Sequence, residues 1–304
     1  MKAIVCTKYG SPEVLQLQEV VNPVPKEHEL LIRVHAVSVT SADCRIRSFQ
    51  CPPLFWIPMR LVLGITKPRK PILGVELSGV VESVGRNVTR YKQGDAVFAM
   101  TGLRFGGYAE YVCLREDAMV ALKPASLTYE EAAAVAFGGT SALHFLRKAR
   151  IRSGMHVLIY GASGSVGTSA VQLAKKHFGA EVTAVCSGAN EELVRSLGAD
   201  RVLDYTRESF TERDDRYDIV FDAVGKLSKA MGRAALKPNG VFVSVEGQGV
   251  AKELPEDMPF LRALVESGEL RAVVDRRYPL EQAAEAHRYV SAGHKRGNVI
   301  LTVK

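Results

Sequence analysis

The octet YGASGSVG, residues 160–167, decides how this chain is read. It follows MHVLI (155–159) and runs into TSAVQLAKKHFGA (168–180), so glycines 161, 164 and 167 lie between a strand-like and a helix-like run. A βα unit that binds a dinucleotide turns tightly and brings backbone against a pyrophosphate. It meets that anion with the free N–H groups and positive dipole end of a helix. Gly164 permits the close approach, Gly167 permits helix–strand packing, and Ala162 stands at the first glycine position of G-x-G-x-x-G. Ser165 and Val166 complete the loop. No Lys-Ser or Lys-Thr follows the last glycine, which disfavours a nucleoside-triphosphate P-loop. A glycine turn alone is as readily a structural turn; its place in a strand–helix repeat is what points to a dinucleotide.

That repeat continues on the C-terminal side. EVTAVC (181–186) precedes NEELVRSLG (190–198), followed by DRVLDY (200–205), YDIVFDAVG (217–225) and, after the turn KPNG (237–240), GVFVSV (240–245). Alternation of this kind predicts a parallel sheet covered on both faces. Before residue 125 the texture differs. Short β-branched runs such as KAIVC (2–6), LLIRVHAVSV (30–39), LSGVVESVG (77–85), DAVFAM (95–100) and YAEYVCL (108–114) are punctuated by glycine and proline, as in a mainly β domain. LTYEEAAAVAFGGTSALHFLRKA (127–149) reads as helix capped by Thr128. PLEQAAEAHRYVSAG (279–293) reads as a helix and GNVILTV (297–303) as a last strand returning to the β region. The predicted organisation is a β domain at 1–124 and 276–304 around a dinucleotide-binding domain at 125–275.

Composition narrows the class. With 47% hydrophobic and 24% charged residues, the 304-residue chain is of ordinary globular type, large enough for two cores. The net charge of +7 comes from scattered Lys and Arg, which favours a solvated surface over a nucleic-acid partner. The first residues turn polar too early for a signal peptide, and PPLFWIPMRLVLGI (52–65) is broken by prolines and an arginine, so no membrane partner is expected. Five widely spaced cysteines argue against a disulfide framework and fit a reducing cytoplasm.

Cofactor choice turns on AVCSGAN (184–190). An NAD site usually places Asp or Glu at the end of this strand for the ribose hydroxyls; here Cys186 and Ser187 stand instead. Without that carboxylate a 2′-phosphate meets no repulsion, and Ser187 and Asn190 offer donors. Asn190 is equally placed to cap the next helix. The balance points to NADPH, with NADH open.

The stretches SADCRIR (41–47), GVELSGVVESVG (74–85), GDAVFAM (94–100), GYAEY (107–111), EEAAAVAFGGTSALHFL (130–146), VLIYGASGSVG (157–167), SLGADRVLDY (196–205), FDAVG (221–225) and LKPNG (236–240) span nearly the whole chain. Together they resemble the medium-chain dehydrogenase/reductase superfamily, in particular its zinc-independent quinone oxidoreductase group, which includes zeta-crystallin. The resemblance implies a GroES-like β domain plus a Rossmann doubly wound parallel sheet, with the active site in the cleft between them. It implies that Gly161, Ala162, Gly164, Ser165, Val166 and Gly167 form the pyrophosphate loop, and that Ser187 and Tyr205 lie by the adenosine end. It also implies that Ser141 lies near the nicotinamide and that Val224 and Gly225 lie under its ribose. Asn298 falls where relatives often carry a basic residue toward the phosphate, and Ala189 where many carry another; both departures imply a looser phosphate pocket.

Zinc members use a Cys and a His-Glu pair plus four clustered cysteines. Here Val75 precedes Glu76 where the histidine would be, there is no C-x-x-C, and Cys44 reads as a small packing residue. No metal is expected. Alcohol oxidation then becomes a poor prospect, whereas a quinone or α,β-unsaturated carbonyl accepts hydride given orientation and water exclusion. The expected function is NADPH-dependent reduction of such an acceptor. The alternatives are an NADPH-binding, non-catalytic crystallin- or adaptor-like protein, or an alcohol/aldehyde oxidoreductase. Thr40 is placed to hydrogen-bond a substrate carbonyl. Asp43 would relay a proton, hold its loop or, more simply, pair with Arg45 or Arg47. Phe49, Phe55 and Trp56 would wall an aromatic pocket or pack a core or lid. No Tyr lies between Thr40 and Arg60, against an enoyl-thioester reductase with a tyrosine proton donor.

After GVFVSV the family normally adds a sixth strand that commonly pairs across a dimer. Here EGQGVAKELPEDM (246–258) leads directly to the helix PFLRALVESGEL (259–270), and RAVVD (271–275) matches the segment re-entering the first domain. Five strands are expected in place of six, with a homodimer weakened or altered.

Overall fold

A computed structural model describes residues 1–51, 55–247 and 251–304. The chain divides into two compact units, Met1–Ala136 with Val274–Lys304, and Phe137–Val273. The first unit opens with β1 (Lys2–Cys6) and β2 (Leu15–Glu19), an antiparallel pair, and continues through β3 (Glu29–Ser38), α1 (Ser41–Ser48) and α2 (Trp56–Leu63). Then come β4 (Glu76–Val84), β5 (Ala96–Met100), β6 (Tyr111–Arg115), β7 (Met119–Leu122) and α3 (Tyr129–Ala132). The second unit holds α4 (Ala136–Lys148), β8 (His156–Tyr160), α5 (Ser165–Gln172), β9 (Glu181–Cys186), α6 (Glu191–Ser196), β10 (Arg201–Asp204), β11 (Tyr217–Asp222), α7 (Lys229–Ala234), β12 (Leu236–Ser244) and α8 (Asp257–Glu266). The chain returns to the first unit with β13 (Val274–Pro279), α9 (Ala283–Ser291) and β14 (Asn298–Thr302).

In the first unit a seven-stranded sheet runs β13-β14-β3-β4-β5-β7, with β6 pairing the remaining stretch of β3. Alternation along β3 buries Leu30, Ile32 and Val34 on one face, against Ile4, Leu77, Val97 and Leu301. RAVVD does re-enter this unit: Val274 and Asp275 begin β13, parallel to β14.

In the second unit five strands, all parallel, take the order β10-β9-β8-β11-β12. Their centres are apolar runs such as Val157–Leu158–Ile159, buried because helices cover both faces. The five strands counted from the sequence are those found among the described residues, and β12 is an edge. KPNG is not a separate turn. It is an outward bulge inside β12, where Leu236 pairs with Tyr217 and Val241 with Ile219, and Asn239 takes φ of 66°. The helix expected over 127–149 splits in two. Thr128 and Glu131 form a reciprocal capping box on α3, whose ladder closes at Ala133, and α4 restarts at Ala136 with no glycine or proline to mark the break.

Candidate functional site

The glycine turn is built by β8 ending at Tyr160 and α5 starting at Ser165. The left-handed backbone falls on Gly161 (φ 76°), and its N–H and that of Ala162 both donate to the Val185 carbonyl on β9, at 3.0 and 3.1 Å. Ala162 is thereby relieved of any need to be glycine and is fully buried. At Gly167 a Cβ would lie 2.1 Å from the Gly161 carbonyl oxygen, so helix and strand close on bare backbone. Gly164 differs: its φ is −81°, and a Cβ there would meet nothing nearer than 3.6 Å. Among the described residues nothing requires glycine at 164. Gly164 is also the N-cap of α5 and supplies no side-chain oxygen to the first-turn amides, those of Ser165, Val166 and Gly167.

The loop after β11 meets this turn. A Cβ on Gly161 would lie 2.5 Å from Val224 Cγ1, so Val224 packs on the turn, and Gly225 takes φ of 74°. Asp222 holds the loop. Its Oδ1 accepts from the backbone of Val224, Gly225 and Lys226 at 3.2, 2.9 and 3.4 Å, and its Oδ2 from Leu227 N–H and Ser244 Oγ, both at 3.0 Å. Asp222 was not picked out from the sequence. The available signal was an acid at a strand end followed directly by Ala-Val-Gly, the turn chemistry that side-chain carboxylates organise.

At the end of β9, Asn190 Nδ2 donates to Ser187 Oγ and Ser163 Oγ, both at 3.1 Å, while its Oδ1 is buried without a partner. The capping alternative for Asn190 fails: it is the N-cap residue of α6, yet Oδ1, the atom that would accept from the first-turn N–H groups, makes no cap hydrogen bond. Ser187 accepts from Asn190 and keeps its own proton to donate. The end of β9 carries no acid, but β10 brings one to the same loop. Asp204 Oδ2 would sit 2.6 Å from a Cβ on Gly188 and lies 3.5 Å from Arg207 Nε, while Oδ1 accepts from Thr206. The Thr206 hydroxyl and backbone hold the Asp204 carboxyl below its usual range. Asp204, the last residue of β10, and the exposed Arg207, three residues beyond it, were missed from sequence because the neighbouring strand delivers them. Tyr205 lies between them, half exposed, its ring 6.4 Å from that of Tyr160. Ser141 lies on α4, 5% exposed.

The remaining predicted residues belong to the first unit, where several take on other work. Thr40 caps α1: its hydroxyl donates to Asp43 Oδ2 at 2.6 Å and accepts from Asp43 N–H at 3.1 Å, so its proton is committed and is not offered to a carbonyl. The expected ion pair of Asp43 with Arg45 or Arg47 does not form. Asp43 is fully buried and accepts from Thr40 N–H and Gly74 N–H, each at 3.0 Å, while Arg47 donates to the Gly10 carbonyl at 2.9 Å. Arg47 is itself buried, 4% exposed, and its guanidinium serves the Gly10 carbonyl and Ser291 Oγ, while the cap and the Gly74 amide satisfy the Asp43 carboxyl locally. Burial pushes the Asp43 carboxyl up, and Tyr108 also donates toward it. Tyr108 OH lies 3.0 Å from His287 Nε2, and His287 Nδ1 lies 3.4 Å from Cys44 Sγ, completing a buried chain that sequence spacing did not reveal.

Phe49 is left-handed at φ 53°, with the Arg60 guanidinium 3.9 Å from its ring centroid and 4.7 Å from that of Trp56. Phe49 and Trp56, edge-to-face with centroids 5.9 Å apart, therefore both pack on one cation, and Phe55 stands outward at 54% exposure. Asn298 donates to the Ala134 carbonyl at 3.0 Å and is 4% exposed, which ties β14 to the α3–α4 connection.

Known families match this chain along most of its length. A family described as alcohol dehydrogenase GroES-like domain matches residues 26–124, and one described as zinc-binding dehydrogenase matches 197–257 and 248–301. The 2-methylene-furan-3-one reductase of Solanum lycopersicum is 34% identical, covering 99% of this chain and 79% of that protein. The chloroplastic NADPH-dependent alkenal/one oxidoreductase of Arabidopsis thaliana is 32% identical over the same shares. The structure of the quinone oxidoreductase from Coxiella burnetii superposes with a TM-score of 0.90 at 29% identity, covering 100% of this chain and 99% of that one. The chain belongs to the medium-chain dehydrogenase/reductase superfamily, in its quinone oxidoreductase group.

Members of this superfamily are oxidoreductases, and two groups they use can be tested against the residues present. Zinc does not fit. Val75 replaces the histidine before Glu76, whose Oε2 accepts the Ser38 proton at 2.6 Å. Cys44 is buried with its Sγ against His287, 3.4 Å from Nδ1, as a packing residue beside that ring. Among the described residues, no three His, Cys, Asp or Glu side chains are grouped to hold a metal ion. A nicotinamide dinucleotide does fit: the open Gly164, the Val166 and Gly167 amides at the start of α5 and the unpartnered Asn190 Oδ1 are groups of the kinds its pyrophosphate and ribose meet.

Proposed function

We propose that this chain reduces quinones or α,β-unsaturated carbonyl compounds with NADPH, by hydride transfer without a metal ion. The observation that carries the reading is a dinucleotide cradle intact around Gly164 in a chain whose zinc-ligand positions have lost their donors. The bound nicotinamide supplies the hydride. The α5 amides hold the pyrophosphate, Ser187 and Arg207 face the 2′-phosphate, and Asp222 shapes the Val224–Gly225 loop beneath the ribose. Ser141 stands toward the nicotinamide. An acceptor already electrophilic asks the protein for orientation and exclusion of water. Relatives named for alkenal/one, furanone and quinone reduction support this substrate class.

Asp204 lies close to the proposed phosphate site, and Arg207 offsets its charge, so Arg207 is the residue on which preference for NADPH over NADH rests. The five cysteines are all unpaired, which favours a reducing compartment such as the cytoplasm. The uncovered place beyond β12 supports a homodimer weakened or altered relative to relatives.

An anaerobic assay with 1,4-benzoquinone, 9,10-phenanthrenequinone and small enones, run with NADPH and with NADH, tests the reading. Turnover is expected, and Arg207→Ala should raise KM for NADPH while leaving that for NADH unchanged. Binding of NADPH with no turnover on the whole panel would replace the reductase by a binding-only protein.

A further inference from the structure

Between Asp43 and Glu76 the sequence holds six basic residues and no acidic one. In the middle of this stretch lies α2, whose surroundings are unusual for an exposed helix. Ile57, Leu61 and Val62 are 67%, 60% and 61% exposed, and Ile65 beyond the helix is 66% exposed. Ile57 and Leu61, like Pro58 and Val62, are spaced i, i+4, so they form one outward stripe about two turns long. Only Leu63 of the helix is buried.

The inner side is firmly anchored. Arg60 stacks against Tyr9, Phe49 and Trp56, with its guanidinium 4.8, 3.9 and 4.7 Å from the three ring centroids, and donates to the Ile65 carbonyl. Tyr9 OH donates to the Gly64 carbonyl at 3.0 Å. Gly64 takes φ of 123°, and the chain doubles back so that Arg69 N–H reaches the Leu63 carbonyl at 2.7 Å. That turn sets the exposed Lys67, Arg69 and Lys70 at the C-terminal end of the apolar stripe.

We propose that α2 and the Lys67–Lys70 turn form a docking surface for an anionic lipid bilayer, with the Ile57–Leu61–Val62 stripe in the headgroup–acyl boundary and the three cations against the headgroups. A clustered, exposed apolar patch calls for a partner, and an apolar face beside basic residues is the pattern of interfacial helices. A second copy of this chain is a poorer occupant. A two-fold pairing through this face would bring the basic turns of the two copies to one small interface without an acid in the stretch to offset them. Spanning and surface contact are separate properties: no helix among the described residues is long and apolar enough to cross a membrane, and none needs to be.

The chain carries its own reporter. Trp56 is its one tryptophan, lies on α2 and is 48% exposed. The full-length protein is mixed with vesicles of phosphatidylcholine alone and of phosphatidylcholine with phosphatidylglycerol, and followed by tryptophan emission and co-sedimentation. On the anionic vesicles, a blue shift and co-sedimentation are expected. Lys67→Glu/Arg69→Glu/Lys70→Glu should weaken binding about a hundredfold, since each basic residue at an anionic surface contributes roughly fivefold. Leu61→Glu/Val62→Glu should abolish the blue shift, with thermal melting unchanged because both side chains are exposed. Three results would overturn the proposal: no association with anionic vesicles, association indifferent to Leu61→Glu/Val62→Glu, or a blue shift that follows protein concentration without lipid, which marks a second copy as the occupant.

Discussion

Replacing Gly164 by alanine separates what the protein needs from what its ligand needs. The added Cβ has only the Gly161 carbonyl oxygen near it, at 3.6 Å, and φ of −81° suits any residue. The folded chain therefore loses only the N-cap preference for glycine over alanine, roughly 0.5–1 kcal/mol. That corresponds to a fall in Tm of about 1–4 °C. The dinucleotide loses far more. A methyl group above the start of α5 displaces the pyrophosphate from amides whose charge-assisted hydrogen bonds contribute roughly 1.5–3 kcal/mol each, so affinity should drop ~10–100-fold. The assay is titration of NADPH fluorescence beside a thermal melt. Gly167→Ala is the counterpart. Its Cβ would lie 2.1 Å from the Gly161 oxygen and 2.7 Å from Ala162 Cα, both backbone. That variant should lose about 3 kcal/mol or more and melt ~10 °C lower. Wild-type affinity in Gly164→Ala would refute the placement of the pyrophosphate at this turn.

Three further outcomes follow from buried polar groups. Asp222→Asn turns an amide N–H toward backbone donors now served by a carboxylate, so stability should fall by about 3 kcal/mol, and KM for the nucleotide should rise; an unchanged melt would dissociate Asp222 from its loop. Burial pushes His287 down to about 3, so it stays neutral when folded but takes a proton below about 6.5 when unfolded. Its contribution is complete above that pH and is lost as pH falls toward 3, at about 1.4 kcal/mol per unit; His287→Gln should flatten that limb in acid denaturation by urea, and an unaltered slope would count against it. Glu253 shifts the other way, to about 7, through burial first and then the nearby Asp257 charge. Its folded form holds a proton that the unfolded form has lost above about 4.5, so stability falls as pH rises from there to 7. Glu253→Gln should be the more stable protein above pH 7 and indistinguishable from wild type below pH 4; equal stability at both ends would show that Glu253 is not desolvated.

What the chain declares locally concerns periodicity and turns. Apolar runs bounded by glycine specified five parallel strands and a β-rich first unit, because strand burial is written every second residue or as continuous Val, Ile and Leu. The turn at Gly161–Gly167 was legible because close backbone packing excludes a side chain, and only glycine records that exclusion in one letter. Polar partnerships were not legible in the same way. Asp43 chose Thr40 and Gly74 over Arg47, Asn190 chose two serines over its helix, and Asn298 chose the Ala134 carbonyl. Each side chain offers the same donors and acceptors in many settings, and which are satisfied depends on groups distant in sequence that packing delivers. Arg207 came to the loop after β9 for that reason, delivered just beyond a neighbouring strand. The sequence by itself determined the layers and the dinucleotide cradle, since backbone sterics and hydrophobic spacing act within a few residues. Only the tertiary structure decided which buried carboxylates and amides work as scaffolding and which face a ligand, because hydrogen bonds are paired across the fold.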